Sequence, residues 1–599
     1  MPARPSSATL SNTQLLRRFW VYAKPDARWL WAGLIAAPLG SLAGLAQPWL
    51  IKEAIDGPIH QALNPTTAAA PAWSLTTIAT LFLVGAVVEF ILRGGQLFAL
   101  QHVGYRALQR LRRAVYQHIM AQGLGFFDTR ARGSLLSRST NDVESIGEIL
   151  GFGIVGVVGD VFSIVSIIGA MLWMDTRLTL VSLMVAPLVV AIVNLFRRRL
   201  RSYSAEIRVA MAQATGHFSE ALSGQRIVQL HGREQQTVAE YKALNYRYLR
   251  AYHRANWYDA SLYAIMDGVA GLCIALLIWY GSGRYLEGLV SLGLLFAFIQ
   301  YIQRLFIPIR ELSGKVATIE RAMASLERIF QLMDVDERPP QGTFAPETIH
   351  GAIELRGLHF RYRPEGSDVL HGIDLRVDAG EVVALVGPTG SGKSTIGKLL
   401  TRMYVSPPGT LLVDSRPVED WHLATLRGAI GVVQQDVMLF SGTVRDNVTL
   451  GRAGIDDDAV NSALERSRLG ARIERLGGLD AELTESGGNL SAGERQLLSI
   501  ARVLAADPPM VILDEATASI DSLTERDVQE ALDAVFSGRT VVVVAHRLST
   551  IRRADRIVVL QAGRVVEQGS HAELLARDGA YALLVERGHL VTDHPSIIP

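Results

Sequence analysis

The sequence has very little cysteine and almost no excess charge of either sign. Of its 599 residues one is a cysteine, Cys273, which lies in an apolar run, so the chain cannot form an internal disulfide. Lys and Arg together number 59 and Asp and Glu 58, a formal net charge of +1. Such a balance gives no indication of nucleic-acid binding. The composition therefore excludes a disulfide scaffold and a cysteine-ligated metal site, and it predicts no nucleic-acid partner.

Hydrophobic residues, by contrast, are abundant. They form 49% of the chain against 20% charged residues, with a mean hydropathy of +0.22, so part of the chain is expected to lie in lipid. A helix of about 20 apolar residues crosses the hydrocarbon of a bilayer, which is about 30 Å thick. Six such stretches precede residue 312 and none follows it. They cover residues 29–51, 75–97, 149–173, 178–196, 262–280 and 286–307.

The basic residues of the connections predict the orientation of these spans. Arginines are frequent between the second and third spans and between the fourth and fifth, whereas the other three connections have only Lys52, Arg177 and Arg284 as clear basic residues. By the positive-inside rule, both termini are cytoplasmic. The arginine-rich connections keep a helical spacing of apolar residues, so the membrane helices are expected to continue into the cytosol. No secretory signal is expected in residues 1–28, and the first span is expected to be the anchor.

Several ionisable residues lie inside the predicted spans. Glu89 and Arg93 are four residues apart, on one face of a helix, and are expected to pair with each other and to face the interior of the bundle. Asp160 and Asp267 raise the same question. They either pair with Arg93 or Arg304 or contact a transported molecule directly, and the sequence leaves both interpretations open.

From about residue 346 the sequence is typical of an α/β domain, with short β-rich runs, polar helices and glycine-containing turns. A complete P-loop lies between a strand-like run at 382–386 and a helical run at 395–403. Its glycines let backbone N–H groups close around phosphate oxygens, Lys393 reaches the β- and γ-phosphates, and Ser394 offers its hydroxyl to Mg²⁺. The motif reads Gly387-Pro388-Thr389-Gly390-Ser391-Gly392-Lys393-Ser394.

Two further apolar runs lead to polar residues at predicted strand ends. Residues 510–513 are followed by Asp514 and Glu515. One carboxylate at such a position can hold Mg²⁺, and a second can polarise an attacking water. Residues 541–545 are followed by His546, whose imidazole could contact a γ-phosphate. Taken alone, His546 would be an ordinary turn residue, so its significance depends on the motifs around it.

Further motifs accompany the P-loop in chain order: Gln435, Leu490-Ser491-Ala492-Gly493-Glu494, Asp514-Glu515, Ser519-Ile520-Asp521 and His546. This order resembles the nucleotide-binding domain of ATP-binding-cassette (ABC) transporters. The resemblance extends through the six-span half, including Phe126-Phe127-Asp128 in the first long cytoplasmic connection, and so covers essentially the whole chain. The chain as a whole resembles a bacterial multidrug-type exporter half-transporter, one membrane domain fused to one ATPase domain.

The predicted fold class is therefore multidomain, with an all-α six-helix transmembrane domain followed by an α/β P-loop nucleotide-binding domain. A linker rich in Pro and Gly, residues 334–346, marks the boundary. The predicted segments are a cytoplasmic N-terminal segment (1–28), the six-span transmembrane domain with two long cytoplasmic helical connections (29–312), a helical extension and linker (313–345), the ABC nucleotide-binding domain (346–590) and a C-terminal tail (591–599).

The resemblance also implies a role for each motif position. Tyr362 would stack on adenine, Gln435 would sense the γ-phosphate, and Asp521 would cross to a partner domain. Glu515 would be the general base and His546 the γ-phosphate switch, so the residues expected to act in catalysis are Glu515, His546 and Gln435. The expected ATP-binding residues are Tyr362, Gly387, Thr389, Gly390, Ser391, Gly392, Lys393, Ser394, Thr395, Gln435, Ser491, Gly493 and Asp521. The expected Mg²⁺ ligands are Ser394, Gln435 and Asp514.

One motif departs from the family pattern. The signature that closes over the partner's ATP is usually Leu-Ser-Gly-Gly-Gln, and here Ala492 and Glu494 take the third and fifth places. A Cβ restricts the backbone and a carboxylate adds negative charge near the nucleotide, so this signature is expected to be impaired. Residues 489–502 resemble the glutamate-retaining member of two-gene bacterial exporters, which predicts a heterodimer with a second, heterologous half-transporter. Pairing of the chain with itself is the alternative that the sequence leaves open.

The predicted function is ATP-driven export of hydrophobic or amphipathic small molecules across the bacterial inner membrane, by alternating access coupled to dimerisation of the nucleotide-binding domains. The alternatives are a lipid flippase and an ATP-gated channel or regulator. The expected cofactors are ATP and Mg²⁺, and the expected partners are the second half-transporter, membrane lipid and a small-molecule substrate. Coupling helices are expected near 127–134 and 225–232, with Glu485-Ser486-Gly487 as the segment that contacts them.

Overall fold

The computed structural model describes residues 11–63, 72–148, 154–514, 522–545 and 547–586. The chain forms two compact units. The first comprises Met1–Met120 and Arg132–Val335, and the second comprises Ala121–Ala131 and Asp336–Pro599. The short segment 121–131, which the sequence prediction placed in the membrane domain, therefore belongs to the second unit.

The first unit is helical. Within the described residues, six helical stretches are long and apolar enough to cross a membrane, which confirms the six predicted spans. The helices in this part of the chain are α1 (Asn12–Ala23), α2 (Ala27–Ala54), α3 (His60–Leu63), α4 (Leu75–Met120), α5 (Leu124–Asp128, in the second unit), α6 (Arg132–Ser137), α7 (Val143–Glu148), α8 (Ile154–Met174), α9 (Thr176–Leu183), α10 (Ala186–Ser223), α11 (Gln225–Leu230), α12 (Glu234–Leu286) and α13 (Leu292–Met333).

The long helices exceed what a bilayer requires, as the arginine-rich connections predicted. Helix α4 has 46 residues and α12 has 53. At about 1.5 Å per residue each is more than twice as long as the hydrocarbon is thick. Large apolar side chains lie on the outer surface of this unit. Two of them, Phe90 and Trp173, are each 78% exposed. Lipid is the environment that suits such side chains, because exposed apolar surface of this extent is rare in soluble monomers.

A six-stranded sheet forms the centre of the second unit, in the order β12-β11-β3-β10-β9-β6. Neighbours from β11 to β6 are parallel, and β12 is antiparallel to β11. A four-stranded antiparallel sheet has the order β2-β1-β4-β5, and β7 pairs with β8. The strands are β1 (Ile353–Phe360), β2 (Leu370–Val377), β3 (Val382–Val386), β4 (Leu411–Val413), β5 (Arg416–Pro417), β6 (Ile430–Val433), β7 (Gly442–Thr443), β8 (Glu482–Leu483), β9 (Met510–Asp514), β10 (Thr540–Val544), β11 (Arg556–Gln561) and β12 (Arg564–Gly569).

Continuous apolar strands build the core of the second unit. Every residue of β3 and of β10 is buried, which is the pattern of parallel strands covered on both faces. Alternate residues of β3 point to opposite faces: Val382, Ala384 and Val386 join one hydrophobic cluster, and Val383 and Leu385 join the other. The helices are α14 (Lys393–Leu400), α15 (Leu423–Gly428), α16 (Val444–Thr449), α17 (Asp457–Arg466), α18 (Gly470–Leu476), α19 (Ala492–Ala506), α20 (Ser522–Phe536), α21 (Leu548–Ile551), α22 (His571–Ala576) and α23 (Ala580–Glu586).

Candidate functional site

The parallel strands carry the predicted motifs to one edge of the sheet. Strand β3 ends at Val386, immediately before the P-loop, and β9 ends at Asp514. Val433, the last residue of β6, pairs with Leu513 of β9. Gln435 follows two residues later, at the same edge. Ligands of open α/β sheets bind at the carboxyl ends of the strands, so the position of this edge agrees with a binding site.

The backbone of the P-loop requires glycine at its two ends. Gly387 has a φ of +147° and Gly392 a φ of +104°. A Cβ on Gly387 would lie 2.1 Å from the Leu560 carbonyl oxygen, and one on Gly392 would lie 2.5 Å from Leu370 Cδ2. Both distances are too short for a real contact, and both φ values disfavour L side chains. The glycines therefore give the loop a shape that another residue could not adopt without displacing its neighbours.

Polar groups line the inside of this loop. Lys393 is 5% exposed, and its Nζ donates to the carbonyl oxygens of Gly387 at 2.7 Å and Pro388 at 3.0 Å. Ser391 is 2% exposed, and its Oγ has no hydrogen-bond partner among the described residues. Since a buried hydroxyl without a partner costs free energy, the Ser391 side chain fits a site that receives a further polar group. Phosphate oxygens would satisfy it.

A hydroxyl and a carboxylate meet beside the loop. Ser394 Oγ donates to Asp514 Oδ1 at 3.3 Å, although the two residues are 120 positions apart. Oxygen ligands of this kind suit Mg²⁺, which commonly uses one or two protein ligands together with phosphate oxygens and water. The third predicted ligand, Gln435, is exposed at the same sheet edge. Among the described residues no three His, Cys, Asp or Glu side chains cluster, and a magnesium site of this kind requires no such cluster.

Tyr362, the predicted adenine platform, lies against the helix that follows the P-loop. Its hydroxyl is hydrogen-bonded to Thr395 Oγ1 at 2.9 Å, and Lys398 Nζ lies 5.7 Å from its ring centroid. Tyr362 is 39% exposed, so part of its surface is open to a ligand. A second ring, Tyr404, lies 4.9 Å from it at an interplanar angle of 82°. The sequence prediction did not identify Tyr404, which belongs to no motif.

The signature residues form the start of helix α19. Ser491 is its N-cap and Glu494 completes a capping box, with Ser491 N donating to Glu494 Oε2 at 2.7 Å. Arg472 Nε donates to the other carboxylate oxygen at 2.7 Å. Burial raises the pKa of the Glu494 carboxyl, but the hydrogen bonds from Ser491 and Arg472 outweigh burial, so this pKa lies below its usual value. Ala492 is the first helical residue of α19.

This geometry changes the expectation of an impaired signature. The Glu494 charge is compensated by Arg472, and both its oxygens are directed to groups of its own unit. Ala492 is not among the residues of positive φ, so its Cβ introduces no backbone strain. The two substitutions therefore leave the N-terminus of α19 regular, with N–H groups of the kind that bind anions.

Comparison with known proteins agrees with this site. Residues 30–309 match the family described as ABC transporter transmembrane region, and residues 370–518 match the family described as ABC transporter. An ATP-dependent lipid A-core flippase from Chromohalobacter salexigens is 34% identical, over 96% of this chain and 98% of that protein. The chain belongs to the ABC transporter family. A candidate multidrug export ATP-binding/permease protein from Staphylococcus aureus is 34% identical, over 95% of this chain and 98% of its own length.

A solved structure extends the comparison to the whole fold. A bacterial Atm1-family ABC exporter with ATP bound superposes with a TM-score of 0.77 and 28% identity, covering 96% of this chain and 99% of the other. The transporter is thus a multi-pass membrane protein that binds ATP, and its ATPase activity drives export. Half-transporters of this family typically dimerise.

Three of the predicted residues lie outside the described residues. They are Glu515, Asp521 and His546, the expected base, the expected contact to the partner domain and the expected γ-phosphate switch. Their roles stay predictions.

The membrane half of the transporter contains the predicted Glu89–Arg93 pair. Arg93 lies 2.8 Å from Glu89 Oε1, one helical turn away. Gln47 Nε2 donates to the other Glu89 oxygen at 2.8 Å, and Arg304 donates to Gln47 Oε1 at 2.6 Å and to the Gly44 carbonyl at 2.6 Å. A polar network therefore joins α2, α4 and α13.

The predicted partners of the two other membrane acids were wrong. Asp160 pairs with Lys315 at 2.6 Å, and Asp267 pairs with Arg310 at 3.2 Å. Arg93 and Arg304, the expected partners, are engaged in the Glu89 network instead. Lys315 lies beyond the predicted end of the sixth span, so a search of the apolar stretches alone could not find it.

Short helices occupy the predicted coupling segments. Helix α11 begins at Gln225, where the second segment was expected, and the first segment covers the end of α5 and the start of α6. Glu485–Gly487 forms a single 3₁₀ turn in which Ser486 has a φ of +56°. Their contacts with a partner chain stay predictions.

Proposed function

We propose that this transporter exports hydrophobic or amphipathic small molecules across the bacterial inner membrane, with both termini and the nucleotide-binding domain in the cytoplasm. The observation that carries the proposal is the sheet edge at which the P-loop, Asp514 and Gln435 meet in a chain that also has six membrane-length helices. The names of two relatives, a lipid A-core flippase and a candidate multidrug exporter, both point to apolar or amphipathic cargo. The arginine-rich connections support the orientation.

Within the site, each residue has a proposed task. Tyr362 stacks on adenine, the P-loop N–H groups and Lys393 hold the β- and γ-phosphates, and Gln435 senses the γ-phosphate. Glu515 acts as general base toward the attacking water and His546 contacts the γ-phosphate. The proposed binding set also includes Gly387, Thr389, Gly390, Ser391, Gly392, Ser394 and Thr395, and Ser491, Gly493 and Asp521 act toward the partner's site.

Magnesium fits the oxygen atoms at this edge. Ser394, Asp514 and Gln435 would hold it, because hydroxyl, carboxylate and amide oxygens are the ligands that this ion accepts. When bound, Mg²⁺ neutralises charge on the phosphate oxygens. The chain's own residues do the rest: Lys393 and the loop position the nucleotide, and Glu515 accepts a proton from water.

Transport in proteoliposomes tests the proposal. The purified transporter is reconstituted and given Mg²⁺ and ATP with two probes, the dye Hoechst 33342 and a fluorescent phospholipid. Movement of at least one probe should require ATP and disappear in Glu515→Gln, which is expected to bind ATP without turning it over. Equal movement in Glu515→Gln would contradict the proposed mechanism.

A lipid flippase is the second candidate, supported by the flippase relative that matches over nearly the full chain. The same experiment separates the two. A flippase moves the phospholipid between leaflets and leaves the dye, whereas a multidrug exporter moves the dye.

We also propose a heterologous second half-transporter as the partner. The support is the resemblance of residues 489–502 to the glutamate-retaining member of two-gene exporters. Purifying the chain expressed alone is the test. A stable homodimer with vigorous, substrate-stimulated ATPase at two equivalent sites would contradict the heterodimer.

A further inference from the structure

The segment 121–131 is folded into the nucleotide-binding unit although it connects two helices of the membrane unit, α4 and α6. The linker that precedes the nucleotide-binding domain holds one side of it. Gly123 N donates to the Glu337 carbonyl at 3.0 Å, Glu337 N donates to Gln122 Oε1 at 2.8 Å, and Arg130 pairs with the Glu337 carboxylate at 3.2 Å. Arg130 also lies 4.2 Å from the centroid of the Phe126 ring.

Tyr404 holds the other side of the segment. This residue lies in the turn after α14, the helix that the P-loop begins, and its hydroxyl donates to the Asp128 carboxylate. Its ring makes the edge-to-face contact with Tyr362, 4.9 Å between centroids. Phe360 completes the group, 5.1 Å from Tyr362 and 6.0 Å from Tyr404. Three aromatic rings thus join the proposed base platform to a carboxylate of the cytoplasmic connection.

We infer that Tyr404 is a positioning residue that couples binding of the adenine base at Tyr362 to the conformation of the connection at Asp128. A base that stacks on Tyr362 restricts the motion of that ring. Because the Tyr404 ring packs edge-to-face against it, the motion of the Tyr404 ring is restricted as well. The Tyr404 hydroxyl fixes its own ring to Asp128 by a hydrogen bond to a charged acceptor, the stronger class of hydrogen bond. Asp128 is followed closely in the chain by α6. Binding of the base can therefore change the conformation of α6 through the backbone that joins the two. This inference rests on the proposed stacking role of Tyr362.

The two tyrosines have different tasks in this scheme, and substitutions can separate them. Tyr362→Leu removes the platform, whereas Tyr404→Phe keeps the ring and removes only the hydrogen bond to Asp128. Tyr581→Phe is the matched control. It also removes one hydroxyl hydrogen bond, between Tyr581 and His571 at 2.7 Å, but at a position outside the nucleotide site.

Hydrogen–deuterium exchange of the full transporter in lipid nanodiscs gives a local readout, with and without saturating Mg²⁺ and ATP. In the wild type and in Tyr581→Phe, ATP should slow exchange both in the P-loop peptide and in residues 121–131, the latter by roughly ten-fold. In Tyr404→Phe the P-loop should keep its protection and residues 121–131 should lose theirs. Asp128→Ala should give the same pattern, and the double variant should show no further loss, since both changes remove one interaction.

The possible failures are distinguishable. If Tyr362→Leu leaves the ATP affinity of the transporter unchanged, the proposed stacking role is wrong and the inference falls with it. If Tyr362→Leu weakens ATP binding but Tyr404→Phe keeps the protection of residues 121–131, the stacking role survives and the inference is overturned. Loss of P-loop protection in Tyr404→Phe would also overturn it, because the hydroxyl would then act on the nucleotide site itself.

Discussion

The two units of the transporter place their functional polar groups in different ways. In the nucleotide-binding unit Lys393 and Ser394 belong to one short motif, and Asp514 and Gln435 follow two neighbouring strands of one sheet. In the membrane unit two ion pairs join residues of different helices: Asp160 and Lys315 are 155 positions apart, and Asp267 and Arg310 are 43 apart. A local motif carries its own geometry in the glycines that shape it, whereas a remote pair depends on how helices pack.

Substitutions in the P-loop and beside it should give the largest effects. Lys393→Ala removes the cation that is proposed to hold the β- and γ-phosphates and should weaken ATP binding itself. Glu515→Gln keeps the shape of the side chain and loses its basicity, so ATP should bind while turnover falls by roughly 10²- to 10⁴-fold. Nucleotide affinity and ATPase rate, measured on both variants, separate binding from chemistry. ATPase of Glu515→Gln within a few-fold of the wild type would remove Glu515 from the mechanism.

The contrast between local motifs and remote pairs also explains which features could be predicted from the sequence. The P-loop, the strand ends at Asp514 and the six spans were all predicted, because each depends on spacing within a few residues. The Glu89–Arg93 pair was predicted for the same reason, since one helical turn separates the two. Lys315, Tyr404 and Arg472 were missed, because their partners are brought to them by tertiary packing that no local pattern encodes.

The membrane ion pairs offer an intermediate effect. Asp160 and Lys315 have side chains only 17% and 20% exposed, so Lys315→Gln leaves a poorly solvated carboxylate without this partner. It should lower the free energy of unfolding by about 3 kcal/mol. The Asp160→Asn/Lys315→Gln double variant should recover most of the loss. Thermal unfolding in detergent, followed by tryptophan fluorescence, measures both.

Asp267 is the matched comparison for Asp160. Its side chain is 73% exposed against 17% for Asp160, so Asp267→Asn removes fewer contacts within the protein and should change the unfolding temperature less. If the two acids contact transported molecules, both Asn variants should alter export of cationic substrates more than neutral ones. Loss of folded protein in both, without a selective transport effect, would favour a purely structural role.

The smallest effect is expected at the signature, where the local pattern predicted an impairment that the tertiary contacts compensate. Glu494→Gln keeps the capping box, because glutamine at this position also accepts from the Ser491 N–H, and it loses only the ion pair with Arg472. That pair is partly exposed, so the ATPase rate should change by less than about five-fold.

The same variant should also change how stability depends on pH. Hydrogen bonds hold the pKa of the Glu494 carboxyl below its usual value in the folded protein. Its contribution to stability is therefore fully present above the pKa of a glutamate in the unfolded chain, about 4.3, and is lost as the pH falls through the folded-state pKa. Unfolding measured between neutral and acidic pH should therefore show a shallower acid-side decline in Glu494→Gln than in the wild type. A large gain of ATPase in Glu494→Gln would mean that the carboxylate does act on the nucleotide, and it would restore the argument that this chain needs a partner with the usual signature.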